Sequence, residues 1–462
     1  MSALTFDIQP PGNVDVRALR LRLDGDLVLP GDPEWDTARQ AWNLAVDQRP
    51  FAVALVESAA DVAAVVQFAR VHGLRVAPQG TGHGAAAMRS LEETILVKTE
   101  RMRGVTIDAE SRTARAEAGA QWQDVVAPAA EQGFLVLHGS SPDVGVVGYS
   151  LGGGMGWLAR SKGLAANSVT AIELVTADGR LVRADRDNEP DLFWAVRGGG
   201  GSFGIVTAIE FRMFETPELY AGAMFWPVER AAEVLQAWRE WAETVPDELT
   251  SVGRILHLPP IPDVPEPFRG KSFVLVEATF VGGEAEGSEL LEPLRKLGPA
   301  MDTFAAVPPT ALPHLHMDPP KPVPGVGDGL FLDELPAQAI DAMVATGTPP
   351  LLSLEIRPLG GKLSEPSSSH GAVGSIDAAY ALFAVGFAPT PEIGRAVEEA
   401  VNRVQDAFEP WASSRTYFNF AERAVEPERL YPPETYRRLR RIKAHYDAGE
   451  LFVANHSIPP AR

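Results

Sequence analysis

His83 closes the stretch Arg75-Val76-Ala77-Pro78-Gln79-Gly80-Thr81-Gly82-His83-Gly84, a short apolar run followed by a glycine loop. Glycine tolerates positive φ and lets backbone approach a ligand closely. Successive backbone N–H groups in such a turn cradle phosphate oxygens. An imidazole held there touches whatever the loop holds, either as a chemical attachment point or as a bystander. Further glycine clusters follow at 145–156 and 198–204. Together they imply an extended anionic ligand threaded along backbone. Gly152-Gly153-Gly154-Met155-Gly156 is not read as a dinucleotide fingerprint: it lies well inside the chain, after a turn-rich stretch rather than the first strand of a βαβ unit.

Other side chains could also do chemistry. Ser353, Glu355 and Arg357 fall in one period-two row of an apparent strand, with Leu354 and Ile356 on its other face. Burial would raise the Glu355 carboxylate toward the range of a useful base; a solvated Glu–Arg pair is the alternative. Tyr417 lies two residues from Asn419 and, on an extended strand, shares a face with it rather than with Phe420. His314-Leu315-His316 lacks a carboxylate partner motif and reads as a solvated or lid pair, so no metal is expected. His138 reads equally as a ligand contact or a core histidine, and His456 as packing of the tail near the N-terminal domain. Trp226, Trp238 and Trp241 read as one packed amphipathic helix. The chain has no cysteine, which excludes disulfides, thiolate metal sites and a cysteine nucleophile.

The elements that must position these groups follow from periodicity. An amphipathic helix at 58–72, capped by Ser58 with Asp61, precedes strands at 74–77 and 94–97. Short half-alternating strands at 105–107, 113–117, 134–137, 171–175, 180–182 and 205–211 surround a helix near 121–132. After about 215, helices at 228–244, 284–297 and 391–408 alternate with strands at 273–278, 352–357 and 380–385, which suggests one antiparallel sheet backed by helices. Pro-rich stretches at 258–268 and 307–325 are long enough for lids or binding segments. The fold expected is α+β.

With 462 residues, several domains are expected. A net charge of -20 argues against nucleic acid or an anionic membrane as partner. Met1-Ser2-Ala3-Leu4-Thr5-Phe6-Asp7 has neither a basic nor an apolar leader region, so a cytoplasmic location is expected.

An ordered set of motifs carries a resemblance. Arg39-Gln40-Ala41-Trp42-Asn43 with Asp47 and Arg49-Pro50 comes first, then Gly80-Thr81-Gly82-His83, then Ser141-Pro142-Asp143-Val144-Gly145 with Gly148 and 152–156. Asp191-Leu192-Phe193-Trp194-Ala195-Val196-Arg197 with the glycines of 198–204, Tyr417-Phe418-Asn419-Phe420, and Phe452-Val453-Ala454-Asn455-His456 complete it. The sequence resembles the berberine-bridge-enzyme-like FAD-linked oxidases of the vanillyl-alcohol-oxidase superfamily. That resemblance implies a two-subdomain FAD-binding domain of the PCMH type over 1–215, a substrate domain over 216–412, and a segment over 413–462 that returns to the flavin. It implies FAD bonded through its 8α-methyl to His83, with Gln79, Gly80, Thr81, Gly82, Gly84, Ser140, Ser141, Val144, Gly145, Gly148, Gly153, Gly204, Val206, Asn419 and Asn455 as further cofactor contacts. Hydride would pass from a C–H next to O or N of a small molecule to flavin N5, with O2 as acceptor. The catalyst would be a monomer or homodimer.

This chain departs from that pattern. Many relatives attach FAD again through a cysteine where Ser141 stands, so the link here is at most single and the adjoining space more open. Val144 matches a position where small branched residues accompany oxygen access. Tyr149 replaces a frequent histidine, and either donates to the flavin or fills space. Phe420 replaces a tyrosine that serves as catalytic base in several relatives, and it cannot accept a proton. Glu355, Tyr417 and Tyr149 are therefore the candidates for catalysis. The alternatives are a cyclic amine substrate, which needs no strong base, or a dehydrogenase using another acceptor.

Overall fold

In the computed structural model, which describes residues 14–262 and 264–462, three large sheets organise the chain, beside a two-stranded one of Phe134–Leu135 and Phe214–Glu215. The N-terminal heptapeptide read for a leader lies outside the described residues.

The first sheet runs Asp26–Val28, Ala52–Leu55, Thr94–Lys98, Arg75–Gln79, with its last two pairings parallel. Helix Ala59–His72 connects two of these strands. Its Ser58 hydroxyl accepts from the Asp61 N–H at 3.1 Å, and Gly73 at φ +68° ends it in the left-handed region. Val62, Val65, Val66 and Ala69 are all buried, the stripe the 3.6-residue period requires. The strand Arg75–Gln79 thus delivers the glycine loop at its C-terminal end.

The second sheet is antiparallel, in the order Val105–Asp108, Thr113–Glu117, Ile205–Arg212, Val169–Val175, Leu181–Asp185. Helices Trp122–Glu131, Val146–Leu151 and Pro190–Gly199 share its core, built on Trp122, Ile172, Phe203 and Phe211.

The third sheet is also antiparallel. It runs Met301–Asp302, Leu219–Pro227, Ser272–Val281, Leu249–His257, Ser353–Pro358, Tyr380–Phe387, Gly325–Leu332, with Ala305–Ala306 beside Leu219–Pro227. Helices Ala231–Ala242, Ala337–Thr346 and Pro391–Phe408 cover one face, burying Trp238, Ile340, Met343, Val397, Val401 and Val404 against Ile255, Leu354, Ile356 and Leu382. Side chains alternate along each strand, so Arg254, Glu355, Arg357 and Phe383 take the opposite face. Trp226 is a strand residue, not part of the helix that holds Trp238 and Trp241.

The chain then crosses back. After helix Pro433–Tyr446, Val76 N–H donates to Leu451 O and Val453 N–H to Val76 O, both at 2.9 Å, adding the tail to the strand before the glycine loop. Lys443, buried, anchors this return by donating to Ser202 O at 2.6 Å and Asp447 at 2.5 Å.

Candidate active site

The glycine loop folds against the second glycine segment and the tail. Gly82 sits at φ +90°, where a Cβ would lie 2.9 Å from Ala41 Cα; only glycine lets the chain at Ala41-Trp42 come this close. The Trp42 ring consequently stacks on His83, with centroids 4.2 Å apart and planes 20° from parallel. A Cβ on Gly145 would lie 3.6 Å from Thr81 Cγ2, and one on Gly84 would lie 3.1 Å from Asn455 Nδ2. Gly80, Thr81, Gly82, His83, Ser140, Val144, Tyr149, Asn419 and Asn455 are half-buried, Gly84 and Gly148 are exposed, and Gln79, Ser141, Gly145 and Gly153 lie buried behind them. A cleft walled largely by backbone results. A Cβ on Gly204 would lie 2.8 Å from Leu174 Cδ1, and Val206 pairs with Leu174 in the second sheet.

The cleft retains unused hydrogen-bonding capacity. Gln79 Oε1, His83 Nε2 and the Tyr149 hydroxyl are buried without a partner, a condition native interiors rarely tolerate unless a ligand or water completes it. His83 Nδ1 hydrogen-bonds with Thr81 Oγ1 at 2.7 Å, while Nε2 lies 3.8 Å from Asp143. Burial lowers the His83 pKa to about 4 against the opposing pull of Asp143, leaving a neutral imidazole. Asp143 is held by Trp42 Nε1 at 2.5 Å and the Ser141 hydroxyl at 2.8 Å. Ser141 therefore hydrogen-bonds to its neighbour instead of opening free space. His138 is buried and neutral, with Nδ1 at 2.6 Å from Gly139 O. His456 is buried, with Nε2 at 3.0 Å from Ala421 O.

Tyr417 does not lie on a strand. Residues 418–420 form a turn, which brings its hydroxyl to Asn419 Nδ2 at 3.4 Å and lets it accept from Met155 N–H at 2.9 Å. Asn419 also donates to Tyr149 O at 3.0 Å. Burial raises both the Tyr417 and Tyr149 phenols above their ordinary value, so each is a hydroxyl and neither a phenolate at neutral pH. The Tyr149 ring fills a recess floored by glycine: a Cβ on Gly139 or Gly154 would lie within 2.9 Å or 2.6 Å of it.

The third sheet presents a different chemistry. Glu355 is buried, and its Oε2 lies 2.7 Å from His316 Nε2 while Arg357 contacts Oε1 at 2.6 Å. His316 Nδ1 lies 2.7 Å from the fully buried Glu277. Arg254 joins them, donating to Ser353 at 2.7 Å and to His316 O at 2.7 Å. These contacts overturn the expectation of a raised Glu355 carboxylate. Burial alone would raise it, but Arg357, His316 and Arg254 together hold it well below the usual carboxylate range. They also correct the reading of His316 as a solvated lid histidine. Despite its burial and Arg254, Glu277 and Glu355 raise its pKa to about 9, so it is an imidazolium. Ser140 donates at 3.3 Å to Asp318, whose charge also acts on His316 two residues before it.

Sequence reading passed over Glu277, Arg254 and Asp143. For Glu277 and Arg254 a signal exists: each is a lone charge in an otherwise apolar strand, Val274 to Ala278 and Gly253 to Leu256. Such a charge is buried only when paired.

Comparison with known proteins agrees with this architecture. Residues 50–185 match the FAD binding domain family and residues 416–459 the berberine and berberine-like family. (R)-6-hydroxynicotine oxidase of Paenarthrobacter nicotinovorans is 28% identical, over 96% of this chain and 98% of its own length. Glucooligosaccharide oxidase of Sarocladium strictum is 35% identical over 47% of this chain and 44% of its own length. The crystal structure of 6-hydroxy-D-nicotine oxidase from Arthrobacter nicotinovorans superposes with a TM-score of 0.79 at 25% identity, covering 94% of this chain and 97% of that one. BBE-like 1 of Physcomitrella patens shares the fold, with a TM-score of 0.83 at 20% identity over 97% of this chain and 99% of that one. Fold and cleft define a flavoprotein oxidoreductase with an α+β FAD-binding domain. The chain carries an FAD binding domain and a berberine-like segment, and is similar over nearly its whole length to an FAD-linked oxidase.

Proposed function

We propose that this protein is an oxidase that holds FAD through a single covalent bond to His83 and passes electrons to dioxygen. The observation that carries the reading is the set of unpartnered buried atoms, Gln79 Oε1, His83 Nε2 and the Tyr149 hydroxyl, gathered at the glycine segments. Bound FAD supplies two-electron redox chemistry, accepting hydride from a C–H next to oxygen or nitrogen. Gln79, the backbone of 80–84 and 145–148, Tyr149, Asn419 and Asn455 would hold it. The neutral His83 is in the form that can act as nucleophile. The bond would replace the imidazole N–H and one 8α-methyl hydrogen by C–N, the two protons and two electrons leaving with dioxygen as hydrogen peroxide. With no cysteine and Ser141 hydrogen-bonded to Asp143, no second link forms. The same chemistry in turnover gives peroxide again.

The substrate would be a small molecule received between the cleft and the charged sheet face. Aromatic walls from Tyr417, Phe420 and Phe383, with ring centroids 5.2 and 5.1 Å apart, favour a ring-bearing substrate. Relatives named for a cyclic amine and for oligosaccharides supply two probes, 6-hydroxynicotine and a glucooligosaccharide. Protein reduced anaerobically and then exposed to air should return to the oxidised spectrum with release of hydrogen peroxide. Reduced flavin that persists in air would contradict the oxidase reading and favour a dehydrogenase with another acceptor.

A further inference from the structure

The sheet face holds a second acid, in a setting opposite to that of Glu355. Glu422 follows the turn that carries Asn419 and Phe420, and its Oε2 occupies the space above Gly327, where a Cβ would lie 3.1 Å from it. The same Cβ would lie 3.1 Å from Phe383 Cζ. Phe383 pairs across strands with Glu355, and Glu355 with Arg254, so all these groups project from the face opposite the helices. Glycine at 327 gives the Glu422 carboxyl this room. The neighbouring Gly325 exchanges hydrogen bonds with the Asn43 side chain at 2.9 and 3.0 Å, and Asn43 follows the Trp42 that stacks on His83. Glu422 therefore lies beside Phe383 of the Phe383–Phe420 aromatic pair, at the Gly327 two residues along the strand from the Gly325 that Asn43 holds.

The surrounding charges separate its protonation from that of its neighbours. Asp328 accepts from Glu422 N–H at 3.2 Å, from Gln405 Nε2 at 2.7 Å and from Gly329 N–H at 3.1 Å, and Arg423 Nε lies 3.6 Å away. Arg423 is turned to Asp328 and to Asn402, to which it donates at 2.6 Å. No cation among the described residues bonds to the Glu422 carboxyl, in contrast to Glu355, which has His316, Arg357 and Arg254 within 3.9 Å. Burial and the Asp328 charge raise the Glu422 pKa to about 7. A pair of acids whose surroundings push their proton affinities apart is the usual arrangement behind acid–base assignments. Glu355 is ionised too firmly to take a proton, and Phe420 has no group to take one.

We propose that Glu422 is the group that accepts the substrate's proton. The proposal rests on the reading of this chain as an FAD-dependent oxidase. The O–H proton of an alcohol, or the ammonium proton of an amine, passes to a Glu422 oxygen. The adjacent C–H leaves as hydride to bound FAD, and C=O or C=N forms. The carboxylic acid then returns its proton to solvent, which reaches the half-buried side chain.

The test joins an infrared titration of the carboxyl groups with flavin reduction by 6-hydroxynicotine or the glucooligosaccharide. In the wild type, one carboxylic acid band should vanish as pH rises through about 7, and this band should be missing from Glu422→Gln. The rate of flavin reduction should climb through the same pH range. Glu422→Gln should lose at least about 100-fold in that rate and the pH-dependent limb with it, while still binding flavin. Asp328→Asn should move the limb to lower pH. A Glu422→Gln enzyme that keeps its rate and limb would overturn the proposal, as would a carboxyl already ionised at pH 5. A wild-type protein without a flavin spectrum would instead sink the oxidase reading, and the infrared band would still judge Glu422.

Discussion

The glycine cleft and the charged face of the third sheet treat polar groups in opposite ways. On the sheet face Glu277, His316, Glu355, Arg357 and Arg254 form one connected chain of ion pairs and hydrogen bonds, whereas Glu422 bonds no cation among the described residues. In the cleft, His83 is neutral and three buried polar atoms have no partner. A paired network is rigid and complete without a ligand. An incomplete one is poised to bind. The difference teaches that the unused hydrogen-bonding capacity lies at the glycine segments and not in the Glu355 network.

That contrast can be broken by mutation. The largest stability effect should come from Glu355→Gln, which leaves His316 and Arg357 short of a counter-charge in the interior. Removing one partner of a buried pair costs about 3–5 kcal/mol, measurable as a lower denaturant midpoint. A loss below about 1 kcal/mol would show that water reaches the network. Gly82→Ala ranks next, since φ +90° and the contact with Ala41 both oppose a side chain. About 1–2 kcal/mol is expected from the backbone conformation alone, with reduced flavin content as the second readout.

pH should separate the two regions as well. The folded-state pKa of His316 is raised to about 9 from an ordinary 6.5. Its stabilising contribution is therefore complete below about 6.5 and is lost as pH climbs through about 9. The melting temperature should fall across that window, and the fall should be shallower in His316→Gln. Smallest of all, Tyr149→Phe removes a hydroxyl that has no partner, so the stability of flavin-free protein should change by less than about 0.5 kcal/mol. Flavin affinity should nevertheless weaken. A destabilisation as large as that of Glu355→Gln would erase the distinction between the regions.

Much of this was legible in sequence wherever the signal is local. The helix Ala59–His72 announces itself through Ser58, Asp61 and a valine stripe, and the glycine loop through three glycines around His83. Strands Leu219–Pro227, Leu249–His257 and Gly325–Leu332 were not read, because near-continuous apolar residues or repeated glycines conceal a two-residue period. The site's electrostatics were legible least. His316 meets Glu277 from 39 residues away in sequence, and nothing in its own neighbourhood forecasts a buried imidazolium. Glu355 does share a row with Arg357 on the face opposite the helices, yet its charge state depends on cations from two other segments. Tyr417 and Asn419 do come together, through a turn rather than the strand their spacing suggested.

The central claim is that His83 alone bonds the flavin, and acid precipitation followed by a spectrum of pellet and supernatant tests it most directly. A yellow pellet from the wild type, and a colourless one from His83→Ala, is the predicted result. A colourless wild-type pellet under a yellow supernatant would contradict it.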